Sequence, residues 1–178
     1  MNITLHRTTL LVCVLAGALA LAMALVAAKD VSAAPSPERA GGATQISGFA
    51  PALDDPEVAG CDPVPDVPVE YDYALVMHGD LEGCLYTDFE PGVSSPSGTY
   101  RETGTELFVG SWRGEPGTFT TTYRFEAKYD LSGEIFGRCQ HPIVEGSGTG
   151  VFEGVSGELF FKDDVVTGEY FYRGHLRG

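Results

Sequence analysis

Hydrophobic and polar residues alternate most clearly between Thr118 and Tyr129. Phe119, Thr121, Tyr123, Phe125, Ala127 and Tyr129 fall on one side, and Thr118, Thr120, Thr122, Arg124, Glu126 and Lys128 on the other. Side chains alternate along a β-strand, so this segment reads as a strand with one aromatic and one polar face. Its length suits a closed barrel. Asp130-Leu131-Ser132-Gly133 follows as a hairpin turn. A second strand is predicted over Gly98–Val109, with Tyr100, Glu102, Gly104, Glu106 and Phe108 on one face and Leu107 and Val109 among the residues of the other. Further strand-like stretches occupy Tyr71–Met77, Gly83–Phe89, Glu134–Gln140, Gly148–Phe152, Glu158–Lys162 and Glu169–Leu176, each bounded by turn residues. About eight closely spaced strands and no helical period predict an all-β domain over 70–178, a sandwich or barrel.

The chain before residue 70 has a different texture. Met1–Arg7 carries a positive charge at Arg7. From Leu10 to Ala28 every residue is apolar or glycine, and Val31-Ser32-Ala33-Ala34-Pro35 follows. A basic start, an apolar run and a small-residue site have the order of a secretory signal peptide, with cleavage expected after Ala33. The apolar run exceeds the usual ~7–15 residues and approaches the ~20 of a spanning helix, so a membrane-anchored form with an uncleaved signal is the alternative. Residues 34–69 read as a flexible, extended leader rich in Pro, Gly and acids, since proline removes backbone donors and carboxylates stay solvated.

Charge then narrows the partners. The whole chain has a net charge of −14. Cleavage after Ala33 removes Arg7, Lys29 and Asp30 from 11 basic and 25 acidic side chains, leaving 9 and 24 and a net of −15. Such a balance argues against nucleic acid and against an anionic membrane surface, and supplies solubility outside the cell. Cys61, Cys84 and Cys139 remain after cleavage, enough for one disulfide. Cys84 and Cys139 lie in strand-like segments and are the first expectation. Cys61 with Cys84 is the alternative. Their spacing fits no zinc motif, and no metal or cofactor is expected.

Candidate chemistry is sparse. The run Gly146–Gly154 has glycines at 146, 148, 150 and 154, out of phase with a dinucleotide fingerprint and followed by no helix, so it reads as close backbone packing or a bulge. No G-x-S-x-G elbow is present. His78, His141 and His175 lack metal-ligand spacing and read as scattered surface. Glu102 and Glu106 share a strand face with Tyr100 and Phe108. Inside a barrel such a carboxylate would be desolvated and could act as a general acid or base. Leu107 and Val109 opposite favour the outward orientation.

Several segments resemble the allene oxide cyclase and dirigent superfamily, in particular small secreted bacterial proteins with an allene-oxide-cyclase-like barrel. They are Gly98-Thr99-Tyr100-Arg101-Glu102-Thr103-Gly104, Gly117–Thr121, Gly137–Pro142, and Gly148-Thr149-Gly150-Val151-Phe152 with Gly154 and Gly157. The resemblance spans roughly 70–178. It implies an eight-stranded antiparallel barrel around a hydrophobic cavity, in which a reactive apolar substrate is held in one conformation, and it leaves an oligomer open. A small apolar or aromatic ligand is thus the expected partner, with Tyr100, Phe119, Phe125 and Tyr129 lining the cavity. The alternatives are an isomerase or cyclase using Glu102 and Tyr123, and a structural surface protein with a filled barrel.

Overall fold

A computed structural model describes residues 42–53, 55, 57, 60, 61 and 71–178. The expected signal peptide and its apolar run lie outside these residues. Among the described residues no helix is long and apolar enough to cross a membrane.

The described residues form nine strands: β1 Thr44–Ala50, β2 Tyr73–Gly79, β3 Leu81–Ser94, β4 Thr99–Trp112, β5 Glu115–Asp130, β6 Gly133–Pro142, β7 Thr149–Gly150, β8 Ser156–Asp163 and β9 Tyr170–Arg177. Every pairing is antiparallel. Eight strands close in the order β1-β2-β3-β4-β5-β6-β8-β9 with β9 returning to β1, while the short β7 adds to β5 outside the ring. The expected eight-stranded antiparallel barrel is therefore present. Long alternating strands explain it: β4 and β5 pair from Thr99↔Lys128 to Trp112↔Glu115 around the turn at Arg113 and Gly114. Both turn residues have positive φ, as a two-residue hairpin requires.

The membership of the ring differs from the sequence expectation at two strands. Thr44–Ala50, placed in the leader, is a full barrel strand whose Ile46 and Ala50 are buried and which pairs with β9 from Thr44↔Leu176 to Ala50↔Tyr170. Its inward positions hold isoleucine, glycine and alanine, too weak an apolar signal to stand out. The small Gly48 leaves room for the Tyr172 ring, which a Cβ at 48 would overlap. The Gly148–Phe152 stretch instead yields only β7, followed by a turn over 151–154. That turn drives Phe152 into the end of the barrel, with Gly150 at φ +58.

One half of the interior is packed with apolar side chains. Phe108 and Phe119 stack at 4.9 Å, Phe152 meets Phe119 edge-on at 4.9 Å, and Met77, Leu81, Leu85 and Leu176 surround them. The aromatic and aliphatic bulk closes this end.

The disulfide joins Cys61 to Cys84, and Cys139 is a free, buried thiol. This corrects the expected Cys84–Cys139 pairing. The barrel wall explains it: Cys84 alternates with the inward Leu85 and so points outward, whereas Cys139 points inward from β6. The disulfide ties the Cys61 segment to the outside of β3 and suggests an oxidising compartment. Its sequence separation of 23 predicts a contribution of about 3 kcal/mol from restriction of the unfolded chain. Replacing both cysteines by serine is expected to lower the melting temperature on the order of 10 °C, measured by circular dichroism.

Candidate functional site

The other half of the barrel interior is polar, and strand register builds it in layers. At the open end β4, β5, β6, β8 and β9 bring Tyr100, Ala127, Gly137, Asp163 and Tyr170 side by side. The next layer inward holds Glu102, Phe125, Cys139, Phe161 and Tyr172. Below it, Tyr123 and His141 are neighbours, and deepest come Thr87, Glu106 and Thr121. Small residues make the room: a Cβ at Gly104 would overlap the Tyr123 ring, and one at Gly137 would overlap the Asp163 and Glu134 carboxylates.

Glu102 sits at the boundary between solvent and core. It is half-buried, and its carboxylate is held from both sides. Tyr123 OH donates to Oε1 at 2.6 Å and Tyr100 OH donates to Oε2 at 2.5 Å. Burial, then the Glu102 hydrogen bond, raises the Tyr123 phenol far above its ordinary value, so it stays a proton donor. The Glu102 bond, followed by burial, also raises Tyr100. The Tyr100 ring meets Phe125 edge-on at 6.2 Å and Tyr129 at 6.4 Å. Tyr100, Phe125 and Tyr170 are half-buried although they belong to the inward rows, and Tyr129 is exposed at the mouth. These residues gather at one end of the barrel, next to the buried Tyr123 and Tyr172.

Beneath the floor lies a second carboxylate. Glu106 is 3 % exposed and bonded at both oxygens, with Oε2 accepting from Thr121 Oγ1 at 2.6 Å and Oε1 from Thr87 Oγ1 at 3.3 Å. His141 Nδ1 lies 2.5 Å from Glu106 Oε2. With the proton on Nδ1, the bond orients the imidazole and leaves Nε2 as a bare acceptor. Nε2 is buried and has no hydrogen-bond partner among the described residues. The ring packs between Phe161 and Tyr123, at centroid distances of 4.5 and 5.9 Å.

The structure thus brings together five of the six residues proposed from sequence. Glu102, Tyr123, Tyr100, Phe125 and Tyr129 gather at one end of the barrel. Phe119 does not join them. It is fully buried in the apolar half, where β5 carries it about two turns of alternation deeper than Tyr123. The outward orientation weighed for Glu102 and Glu106 is also reversed, because this layer of the interior is itself polar. His141 is no surface residue. It shares its strand parity with the buried Cys139 and Ile143, a signal that its polar neighbours Gln140 and Pro142 obscure. His78 does lie toward the surface, between Glu57 and Glu82.

At the mouth, burial and the adjacent Glu134 carboxylate push Asp163 from 3.8 up to about 7. An acid that holds its proton more tightly when folded stabilises the fold below its unfolded value. It loses that contribution as pH rises through the folded one. Asp163 is therefore expected to make the protein less heat-stable at pH 8 than at pH 5. Asp163→Asn should flatten this dependence by on the order of 5 °C in melting temperature. The buried Cys139 thiol is raised far above its usual value, first by desolvation and then by the Glu106 charge, which leaves it unreactive.

A family model described as a protein of unknown function (DUF3224) matches residues 66–173. No curated protein matches the chain.

Proposed function

The chain belongs to the DUF3224 family of proteins of unknown function, and on that premise we propose that it is an exported binding protein whose barrel well takes a small, neutral, aromatic ligand bearing a hydroxyl group. The observation that carries this reading is Glu102, half-buried beside the aromatic cluster of Tyr100, Phe125 and Tyr129 and clasped by the phenols of Tyr100 and Tyr123. Ligand sites join apolar walls to a few placed polar groups. Here the walls are aromatic and the placed group is a hydrogen-bond acceptor. Glu102 and Glu134 disfavour an anionic ligand by like-charge repulsion. Export accords with the Cys61–Cys84 disulfide and with the signal-like N-terminus. The binding of an apolar substrate in a barrel also accords with the resemblance to the allene oxide cyclase and dirigent superfamily.

A matched set of probes tests it. The proposal expects 4-ethylphenol to raise the melting temperature, 4-ethylanisole to do so less because it lacks the donor for Glu102, and 4-ethylbenzoate not at all. At ten times the dissociation constant the stabilisation is about 1.4 kcal/mol, roughly 5 °C. Glu102→Gln should remove the preference for phenol over ether. Equal responses to all three compounds, or none, would sink the reading.

One further observation favours a catalytic version. Glu102 and the strongly protonated Tyr123 are in direct contact, a base beside an acid, as an isomerase or cyclase of apolar substrates requires. In that version Glu102 takes a proton from carbon while Tyr123 hydrogen-bonds the carbonyl oxygen. Deuterium wash-in from D₂O to 4-phenyl-2-butanone, followed by mass spectrometry, should then be accelerated by the wild type and not by Glu102→Gln. Absence of acceleration leaves binding alone.

A further inference from the structure

We propose that the outer wall of the barrel carries a second site, a groove that binds an acidic polysaccharide with one carboxylate per sugar ring. Its charged walls are outward-facing residues that take no part in the interior site. The groove, of about 1010 Å³, crosses β4, β5, β6, β8 and β9. Two adjacent cross-strand rows form its walls. One runs Arg101↔Glu126↔Arg138↔Lys162↔Phe171, the other Thr103↔Arg124↔Gln140↔Phe160↔Arg173. The inward-pointing residues between the rows present their backbone to it, which gives a rigid floor.

Charge placement identifies the occupant. The chain carries a net charge of −14, yet five of the eight Lys and Arg residues in 71–178 stand on this one face. Glu126 pairs with Arg101 at 2.9 Å and with Arg138 at 2.8 Å. Arg124, Lys162 and Arg173 are exposed and have no ion pair among the described residues. β5, β6, β8 and β9 are successive neighbours, so at ~4.8 Å per strand these three cations spread over roughly 14 Å. That spacing is sparse. A DNA duplex presents a charge every ~1.7 Å, and the protein's own acidity repels so dense a polyanion. A uronate chain matches the spacing better. Its sugar rings also offer apolar C–H faces, and Phe171, 49 % exposed and paired with Lys162, and Phe160, paired with Arg173, lie beside the cations to receive them. Arginine pairs bidentately with carboxylates, which suits Arg124 and Arg173 to the uronate group.

Electrophoresis through gels containing polygalacturonate tests the site, with each mobility divided by that in a gel without polymer. Wild type is expected to be retarded at low salt and released by about 200 mM NaCl, and to run freely through neutral dextran. The triple variant Arg124→Gln/Lys162→Gln/Arg173→Gln, with its melting temperature unchanged, should bind at least 10-fold more weakly. Phe171→Ala should weaken retardation several-fold while leaving its salt sensitivity intact. The proposal is overturned if wild type is not retarded, if the triple variant is retarded equally, or if single-stranded oligothymidylate binds as tightly as polygalacturonate.

Discussion

Glu106→Leu is expected to destabilise the barrel by about 3–5 kcal/mol, while the double variant Glu106→Leu/His141→Phe recovers the part of that loss that comes from the orphaned imidazole. In the single variant His141 stays buried without its partner at Nδ1, and the Thr87 and Thr121 hydroxyls lose their acceptor. A buried donor without an acceptor costs its full desolvation. In the double variant the buried carboxylate and imidazole are both gone. A phenylalanine ring at 141 can keep the packing against Tyr123 and Phe161. Replacing both partners of a buried hydrogen bond by apolar groups of similar shape can be nearly neutral or stabilising. Urea denaturation of the four proteins in the cycle gives the coupling energy directly. A double variant as stable as wild type would mean that the pair is kept for the site above it and not for the fold. The pair holds the imidazole under Tyr123, and Tyr123 in turn holds Glu102, so phenol binding should weaken in the double variant even though the fold survives.

Phe119→Ala is expected to cost about 3–5 kcal/mol. The side chain is fully buried and meets Phe108 and Phe152, each at 4.9 Å. Its removal leaves a cavity in the densest part of the barrel, which the encircling strands cannot collapse to fill. The loss should appear entirely in stability. At a temperature where the variant remains folded, its affinity for 4-ethylphenol should match wild type, because Phe119 belongs to the half of the interior opposite the well. Phe125→Ala is the counterpart on the same strand face, with a smaller stability cost and a clear loss of affinity. A reversed pattern would move the ligand site to the apolar half.

Strand alternation made the barrel legible, but not the identity of every strand. β5 declares itself because Phe119, Tyr123 and Phe125 alternate with Thr120, Thr122 and Arg124. β1 hides because its inward positions are Ile46, Gly48 and Ala50, of which Gly48 leaves the space that the Tyr172 ring fills. Parity also placed Glu102, Tyr123, Tyr100, Phe125 and Tyr129 on coherent faces, and most of the candidate site follows from that. Parity could not say which face looks inward where the interior is polar. His141 escaped for this reason and the orientation of Glu106 stayed open, since a buried carboxylate and imidazole look like surface residues until their partners across the barrel are known. Phe119 was misplaced along the strand axis, because alternation gives the face and not the depth. The disulfide was legible in principle, as Cys84 and Cys139 differ in facing once Leu85 is taken as inward. The outer groove is a property of register across five strands, which no single segment of sequence reveals.

We propose that the polar half of the barrel interior takes the ligand, with Glu102 as its anchor. The most direct test is nuclear magnetic resonance mapping of the aromatic side chains during titration with 4-ethylphenol. The account predicts saturable shifts at Tyr100, Tyr123, Phe125 and Tyr129, with Phe108, Phe119 and Phe152 unmoved and the outer-face Phe171 silent. Shifts confined to Phe171, shifts centred on Phe119, or a titration in which no ring responds would contradict it.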